Sequence, residues 1–314
     1  MIEIGKVRAE IRFDSGTVER LFADPEGALA DAEGFWEREE PMRYARGWHE
    51  VVGVPMDFDS FRNVVREIVA LPASERTQHP ALQMTRRVMQ EEERFLAAGI
   101  PHVCSLLPDR PATLDIRVLF AGGLRVNAFA YEQVVVNVTS RFWHEADLSI
   151  DERASWVLNM LVHECWHGGF CENSERWTDA RLDDEALQGL LGNIQNEGIA
   201  TYVNYTAQGI FPAKAEEDFQ MLDDAAEVAR KLETMNAILA QRHVLDEAAL
   251  RDLAWKEGVL GRAFYVGGAH MARTLDERAG RRALVDTIAT GPMSFVAAYN
   301  AVADPALRVS VAAA

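Results

Sequence analysis

Residues His163-Glu164-Cys165-Trp166-His167 place two histidines four positions apart inside a run, Trp156 to Gly168, that favours a helix. On a helix, positions i and i+4 share a face one turn apart, so both imidazoles reach the same point in space. Glu164 follows the first histidine directly, which sets its carboxylate beside that point, where a general base is useful. The preceding Trp156-Val157-Leu158-Asn159-Met160-Leu161-Val162 is almost wholly apolar, so the helix is expected to be buried on most sides. Burying two imidazoles and a carboxylate is costly unless partners satisfy them, and a metal ion is a suitable partner. The competing reading, two histidines and an acid on a solvated helix face, sits poorly with that apolar run. Gly168-Gly169 is expected to stop the helix directly after the second histidine.

Two histidines do not complete a catalytic zinc site, which usually takes three protein ligands plus water. Downstream, Asp183-Asp184-Glu185 opens a second helix with apolar positions Leu187, Leu190, Leu191, Ile194, Ile199 and Val203. Glu197 falls among them, and the small residues Gly198 and Ala200 beside it let another backbone come close. It lies thirty residues after His167, enough for a loop and a returning antiparallel helix. A solvent-exposed glutamate is the alternative.

The His-Glu-x-x-His spacing is that of zinc metallopeptidases. With Glu197 on the next long helix, the chain resembles the gluzincins, the thermolysin-like metallopeptidases. The resemblance implies a zincin-like fold, one zinc ion per chain, His163, His167 and Glu197 as ligands, and Glu164 as general base. The run Leu124-Arg125-Val126-Asn127-Ala128-Phe129-Ala130-Tyr131 looks like the gluzincin edge strand. That likeness implies that Asn127, Ala128 and Phe129 pair with the backbone of a substrate. Two stretches, Asn196-Glu197-Gly198-Ile199-Ala200 and Tyr265-Val266-Gly267-Gly268-Ala269-His270-Met271-Ala272, are similar to a bacterial family described as zinc-dependent peptidases. The resemblance covers roughly residues 115 to 300, with the His-Glu-x-x-His element its most specific part.

Gluzincins also supply a histidine or tyrosine to the developing oxyanion. The similar bacterial family has a tyrosine ahead of paired small residues, which favours Tyr265 over His270. Five positions apart, the two would be separated by about 140° on an α-helix, so only one could face the metal. Thermolysin proper carries an aspartate one turn after its ligand glutamate, where it orients a histidine; here that position is Thr201. Thr201, Asn193, Asn196 and His270 are the candidates to support the ligands from behind.

Composition sets the outer bounds. A chain of 314 residues, 48% hydrophobic and 26% charged, is ordinary for a globular protein with a substantial core. Its net charge of −17 argues against nucleic acid and offers no basic surface for a membrane. No apolar run is long enough to span a bilayer, and the N-terminal residues lack the pattern of a secretory signal, so the expected location is the cytoplasm. Cys104, Cys165 and Cys171 are few and odd in number, as suits reduced thiols.

The expected fold is α+β, predominantly helical and zincin-like: a small sheet, an active-site helix and a helical C-terminal lobe. Three regions are expected: a mostly helical 1–112, a core 113–207 with edge strands and both ligand-bearing helices, and a helical 208–314. Glu3 to Phe13 reads as a strand, as do Leu114–Phe120, Leu124–Tyr131 and Val134–Val138. Helices are expected over roughly Ala213–Gln241, Asp246–Gly280, Arg281–Thr290 and Pro292–Val302, with Gly280 and Gly291 as stops. The expected function is zinc-dependent hydrolysis of peptide or protein substrates, with water activated by zinc and Glu164 as base. The alternative is a zincin-fold metal-binding protein without peptidase activity that serves as a binding or regulatory module. A ferritin-like carboxylate site is excluded, since no second Glu-x-x-His accompanies Glu164 and His167.

Overall fold

The computed structural model describes residues 1–53, 58–145, 147–174 and 184–311. Among the described residues the chain is α+β and mostly helical, with one mixed sheet of five strands. It forms two compact units, interleaved along the sequence. One comprises Met1–Pro101, Thr113–Gly168 and Gln208–Ala215; the other comprises His102–Ala112, Gly169–Ala207 and Glu216–Ala314.

The sheet belongs to the first unit. Its strands are β1 (Ile2–Ile4), β2 (Val7–Asp14), β3 (Ala112–Ala121), β4 (Ala128–Tyr131) and β5 (Gln133–Asn137), in the spatial order β1-β2-β3-β5-β4. The opening stretch is therefore a hairpin and not the single strand expected, with Ile4 opposite Val7 and Ile2 opposite Ala9. The sign of the turn is a change of parity. Apolar residues occupy even positions before Gly5-Lys6 and odd ones after it, at Val7, Ala9, Ile11 and Phe13.

Strands β3 and β5 run parallel, Val118 opposite Val134 and Ala121 opposite Asn137. Strand β4 folds back antiparallel on β5, Ala128 opposite Val136 and Tyr131 opposite Gln133, and forms one edge of the sheet. The strand expected from Leu124 starts only at Ala128. Buried Asn137 gives the reason: its side-chain amide donates to the carbonyls of Leu124 (2.6 Å) and Val126 (3.1 Å). Those carbonyls are taken by a side chain, so 124–127 passes over the end of β5 as an irregular segment.

The second unit is helical, and two of its expected helices are broken. The first becomes Glu217–Asp223 and Ala225–Gln241, where Asp224 caps the second piece by accepting from the backbone N–H groups of Ala226 and Glu227. In place of one helix over Asp246–Gly280 there are Glu247–Leu253, π-helical Ala254–Leu260, π-helical Ala263–Gly267 and α-helical Gly268–Ala279. The break falls at Arg262, whose backbone is left-handed at φ 59°, ψ 16°. Helices Arg281–Thr290 and Pro292–Val302 follow, bounded by Gly280 and Gly291 as expected. Among the described residues no helix is long and apolar enough to cross a membrane.

Candidate metal centre

The helix bearing the two histidines spans Ile150–Ser174, longer at both ends than its sequence signal. Gly168 and Gly169 do not stop it. A Cβ on Gly169 would lie 2.3 Å from Leu107 Cδ1, so a glycine here allows close packing where helix termination was expected. Trp156, Val157, Leu158, Leu161, Val162, Cys165 and Trp166 are all buried, and the Asn159 amide donates to the Phe211 carbonyl at 3.0 Å. Within this packed helix His163, Glu164 and His167 are only 5%, 6% and 8% exposed. The two imidazole centroids are 4.7 Å apart, as one helical turn between them requires.

Glu197 comes from the helix Glu185–Thr206. Asp184 caps its start, accepting from the Leu187 N–H at 2.9 Å while its other oxygen pairs with buried Arg242 at 3.1 Å. The Leu187 hydrogen bond, with Arg242 behind it, holds the Asp184 carboxyl below its ordinary range. Asp183, expected to share that start, lies outside the described residues. Further along, the Gln195 amide donates to the Thr287 carbonyl at 3.0 Å. The Tyr202 hydroxyl donates to Asp276 at 2.7 Å, and Arg281 pairs with the same carboxylate. Between these anchors lies Gly198. A Cβ there would sit 2.4 Å from the Cα and carbonyl carbon of Gly268, so two helices meet backbone to backbone directly beside Glu197.

His163, His167 and Glu197 each offer one ligand atom, and these atoms all lie within 4.8 Å of one another. Two imidazoles and a carboxylate are the donor set of a catalytic zinc site that keeps a further position for water or substrate. The residues present fit such an ion. Glu164 is carried on the same buried helix, one residue from the first imidazole.

The remaining candidates divide. Thr201 is buried, and its hydroxyl has no hydrogen-bond partner among the described residues. Asn196 is half-buried and Asn193 exposed. Half-buried His270 keeps Nε2 at 3.4 Å from the Thr274 hydroxyl, while its buried Nδ1 has no partner among the described residues. Burial, reinforced by Arg273 and Arg278, lowers its pKa to about 4. Asn127 is held within the first unit: its side-chain oxygen accepts from Ser140 at 2.6 Å and its carbonyl from the Asn137 N–H at 2.8 Å. Ala128 is half-buried on edge strand β4, while Phe129 is buried and stacks on Trp48 with centroids 5.3 Å apart.

Tyr265 is half-buried in the π-helical turn Ala263–Gly267. The 140° separation from His270 expected on an α-helix therefore does not apply, because a π-turn bonds i to i+5. Arg262 lies over the tyrosine, its guanidinium carbon 3.3 Å from the ring centroid. No sequence signal marks Arg262, since the carboxylate it pairs with, Asp218, lies 44 positions earlier.

A family model described as "Putative zinc dependent peptidase (DUF5700)" matches residues 76–306 of the chain. No curated protein and no solved structure matches it.

Proposed function

The chain belongs to this zinc-dependent peptidase family, and on that footing we propose that it is a metallopeptidase of the gluzincin type that hydrolyses peptide bonds with Glu164 as general base. The observation that carries the proposal is the convergence of His163, His167 and Glu197, with Glu164 next to the first of them on a buried helix. When bound, zinc supplies a Lewis acid that polarises a scissile carbonyl and makes water a competent nucleophile near neutral pH.

Glu164 takes the proton from the attacking water and hands it to the departing amine, which leaves as a neutral group. Negative charge grows on the former carbonyl oxygen as the nucleophile adds, and the Tyr265 hydroxyl donates a hydrogen bond to it. Thr201 and Asn196 support the ligands from behind, with Asn193 and His270 as further candidates for that role. An extended peptide adds to edge strand β4 by main-chain hydrogen bonds along Asn127-Ala128-Phe129. Among the described residues β4 stands at the end of the sheet and pairs with β5 alone, which supports this docking mode.

The test is Glu164→Gln, assayed for metal by mass spectrometry and for hydrolysis on a peptide library. Retention of one zinc per chain with loss of hydrolysis by about 100-fold or more is expected, since an amide cannot carry the proton. Wild-type turnover in this variant would remove Glu164 from the mechanism. A wild-type chain that holds zinc yet cleaves no peptide would favour the non-catalytic binding module.

A further inference from the structure

Within the second unit, the chain between Leu260 and Gly268 takes a costly path. Two π-helical segments, Ala254–Leu260 and Ala263–Gly267, meet at a corner where Arg262 adopts a left-handed backbone. That conformation is unfavourable for a residue with a side chain, and it persists only where the surroundings hold it. Two groups hold this one. The ammonium of buried Lys231 donates to the Gly261 carbonyl at 2.6 Å. The guanidinium of Arg262 is clamped by Asp218, a carboxylate 4% exposed, through its Nε at 2.9 Å and a second contact from its terminal nitrogen.

Asp218 is in turn placed by the short helix Glu217–Asp223, whose capping residue Glu216 is also buried and accepts from the Asp218 N–H. Burial opposes the charge on Arg262 and Asp218 overcomes it, so the guanidinium titrates above its ordinary value and is always a cation. Its face lies on the ring of Tyr265, with only 3.3 Å between the guanidinium carbon and the ring centroid.

We infer that Arg262, held by Asp218, is a positioning residue that fixes the Tyr265 ring and strengthens its hydroxyl as a hydrogen-bond donor. A cation against the π-face withdraws electron density from the phenol, so the O–H bond is more polarised towards an acceptor. The same contact removes the ring's freedom to swing, which pre-organises the donor before charge develops. This rests on the reading of Tyr265 as the oxyanion donor, and it adds a residue that the reading leaves without a role.

The test is a double-mutant cycle on the zinc-loaded full chain, with Arg262→Met, Tyr265→Phe and the pair. Arg262→Met is expected to lower kcat about 3- to 30-fold with little change in KM, and to cost nothing further once Tyr265→Phe is present. Arg262→Lys, which keeps charge but loses the planar fork, should recover part of the loss. If Arg262→Met fails to fold, Arg262→Gly serves, because glycine takes the left-handed corner without strain and removes the guanidinium. A second readout needs no metal: in protein labelled with fluorotyrosine, the ¹⁹F resonance assigned by its loss in Tyr265→Phe should shift and broaden on removing Arg262. Losses that add independently, or an unchanged ¹⁹F resonance, overturn the positioning role while leaving the tyrosine as donor. Wild-type kcat in Tyr265→Phe overturns both together.

Discussion

The histidine helix and the segment that carries Tyr265 solve the same problem by opposite means. Ile150–Ser174 is one long regular helix, and the spacing of its imidazoles follows from 3.6 residues per turn. The segment 254–267 is two π-helical pieces joined by a left-handed arginine, and that arginine, which lies over the tyrosine ring, pairs with Asp218, 44 positions earlier. The spacing of the two imidazoles can be encoded locally because one helix supplies it, whereas Glu197 comes from a second helix. In the proposed mechanism Tyr265 is a hydrogen-bond donor aimed at a developing charge; such a group needs a particular point in space, and tertiary contacts around Arg262 bear on its ring.

The largest effect should come from the regular helix. His167→Ala removes one of three ligands and is expected to lower zinc affinity by well over 100-fold, given that even groups behind metal ligands are worth about 10- to 100-fold. Metal content and hydrolysis should fall together. In Arg262→Met, by contrast, zinc content should stay at the wild-type level. A His167→Ala protein with stoichiometric zinc would break the contrast at its stronger end.

The same difference between local and tertiary encoding separates the features that are legible in the sequence from those that are not. The His-Glu-x-x-His spacing, the apolar face around Glu197, and the helices closed by Gly280 and Gly291 are local patterns, and the structure has each of these elements. Gly168-Gly169 carries a local pattern too, yet Leu107 against Gly169 turns a stop into a packing contact. Leu124–Asn127 alternates like a strand, and the Asn137 amide withdraws its carbonyls from the sheet. Arg262 is illegible because nothing near it in sequence requires a positive φ. The Gly5-Lys6 hairpin is legible in principle, through the parity change that separates Ile4 from Val7.

Tyr265→Phe sharpens the comparison from the irregular side. If Tyr265 is the oxyanion donor of the proposed mechanism, its loss should lower kcat by about ten- to a thousand-fold with little change in KM and full retention of zinc. His270→Ala should do much less. The reverse pattern, with His270 critical and Tyr265 dispensable, would move the role to the histidine.

Smaller effects are expected where the glutamate helix meets its neighbour. Gly198→Ala places a methyl group 2.4 Å from the Gly268 backbone, a contact that only a helix shift can relieve. Such overpacking costs about 1–3 kcal/mol, and with Glu197 adjacent the shift should also weaken zinc binding. Gly189→Ala on the same helix meets nothing within 4 Å and should stabilise by about 0.5–1 kcal/mol, as alanine does in a helix interior. Thermal melts and zinc titrations of the two variants should therefore move in opposite directions for stability, and only Gly198→Ala should change metal affinity. Equal behaviour would mean that the close approach of the two helices does not position Glu197.

The smallest effect concerns His270, which burial, with Arg273 and Arg278 nearby and Asp304 opposing them, lowers from 6.5 to about 4. The folded state thus holds the ring neutral where the unfolded chain would protonate it. Between about pH 6.5 and about pH 4 the unfolded state binds more protons, so stability rises with pH across that window and is lost as pH falls through it. Below about 4 the ring is protonated in both states and its contribution levels off. The ring lies edge-on to Tyr299, with centroids 6.1 Å apart, and its buried Nδ1 has no hydrogen-bond partner among the described residues, so no acceptor at that nitrogen eases its protonation. The contribution should be about 1–2 kcal/mol after allowing for solvent screening of a half-buried group. Urea unfolding of wild type and His270→Leu, both with chelator so that metal release does not intrude, should diverge as pH rises from 4 to 6.5 and run parallel above it. A stability difference independent of pH over that range would show that the ring titrates alike in both states, and that the fold does not hold this histidine neutral.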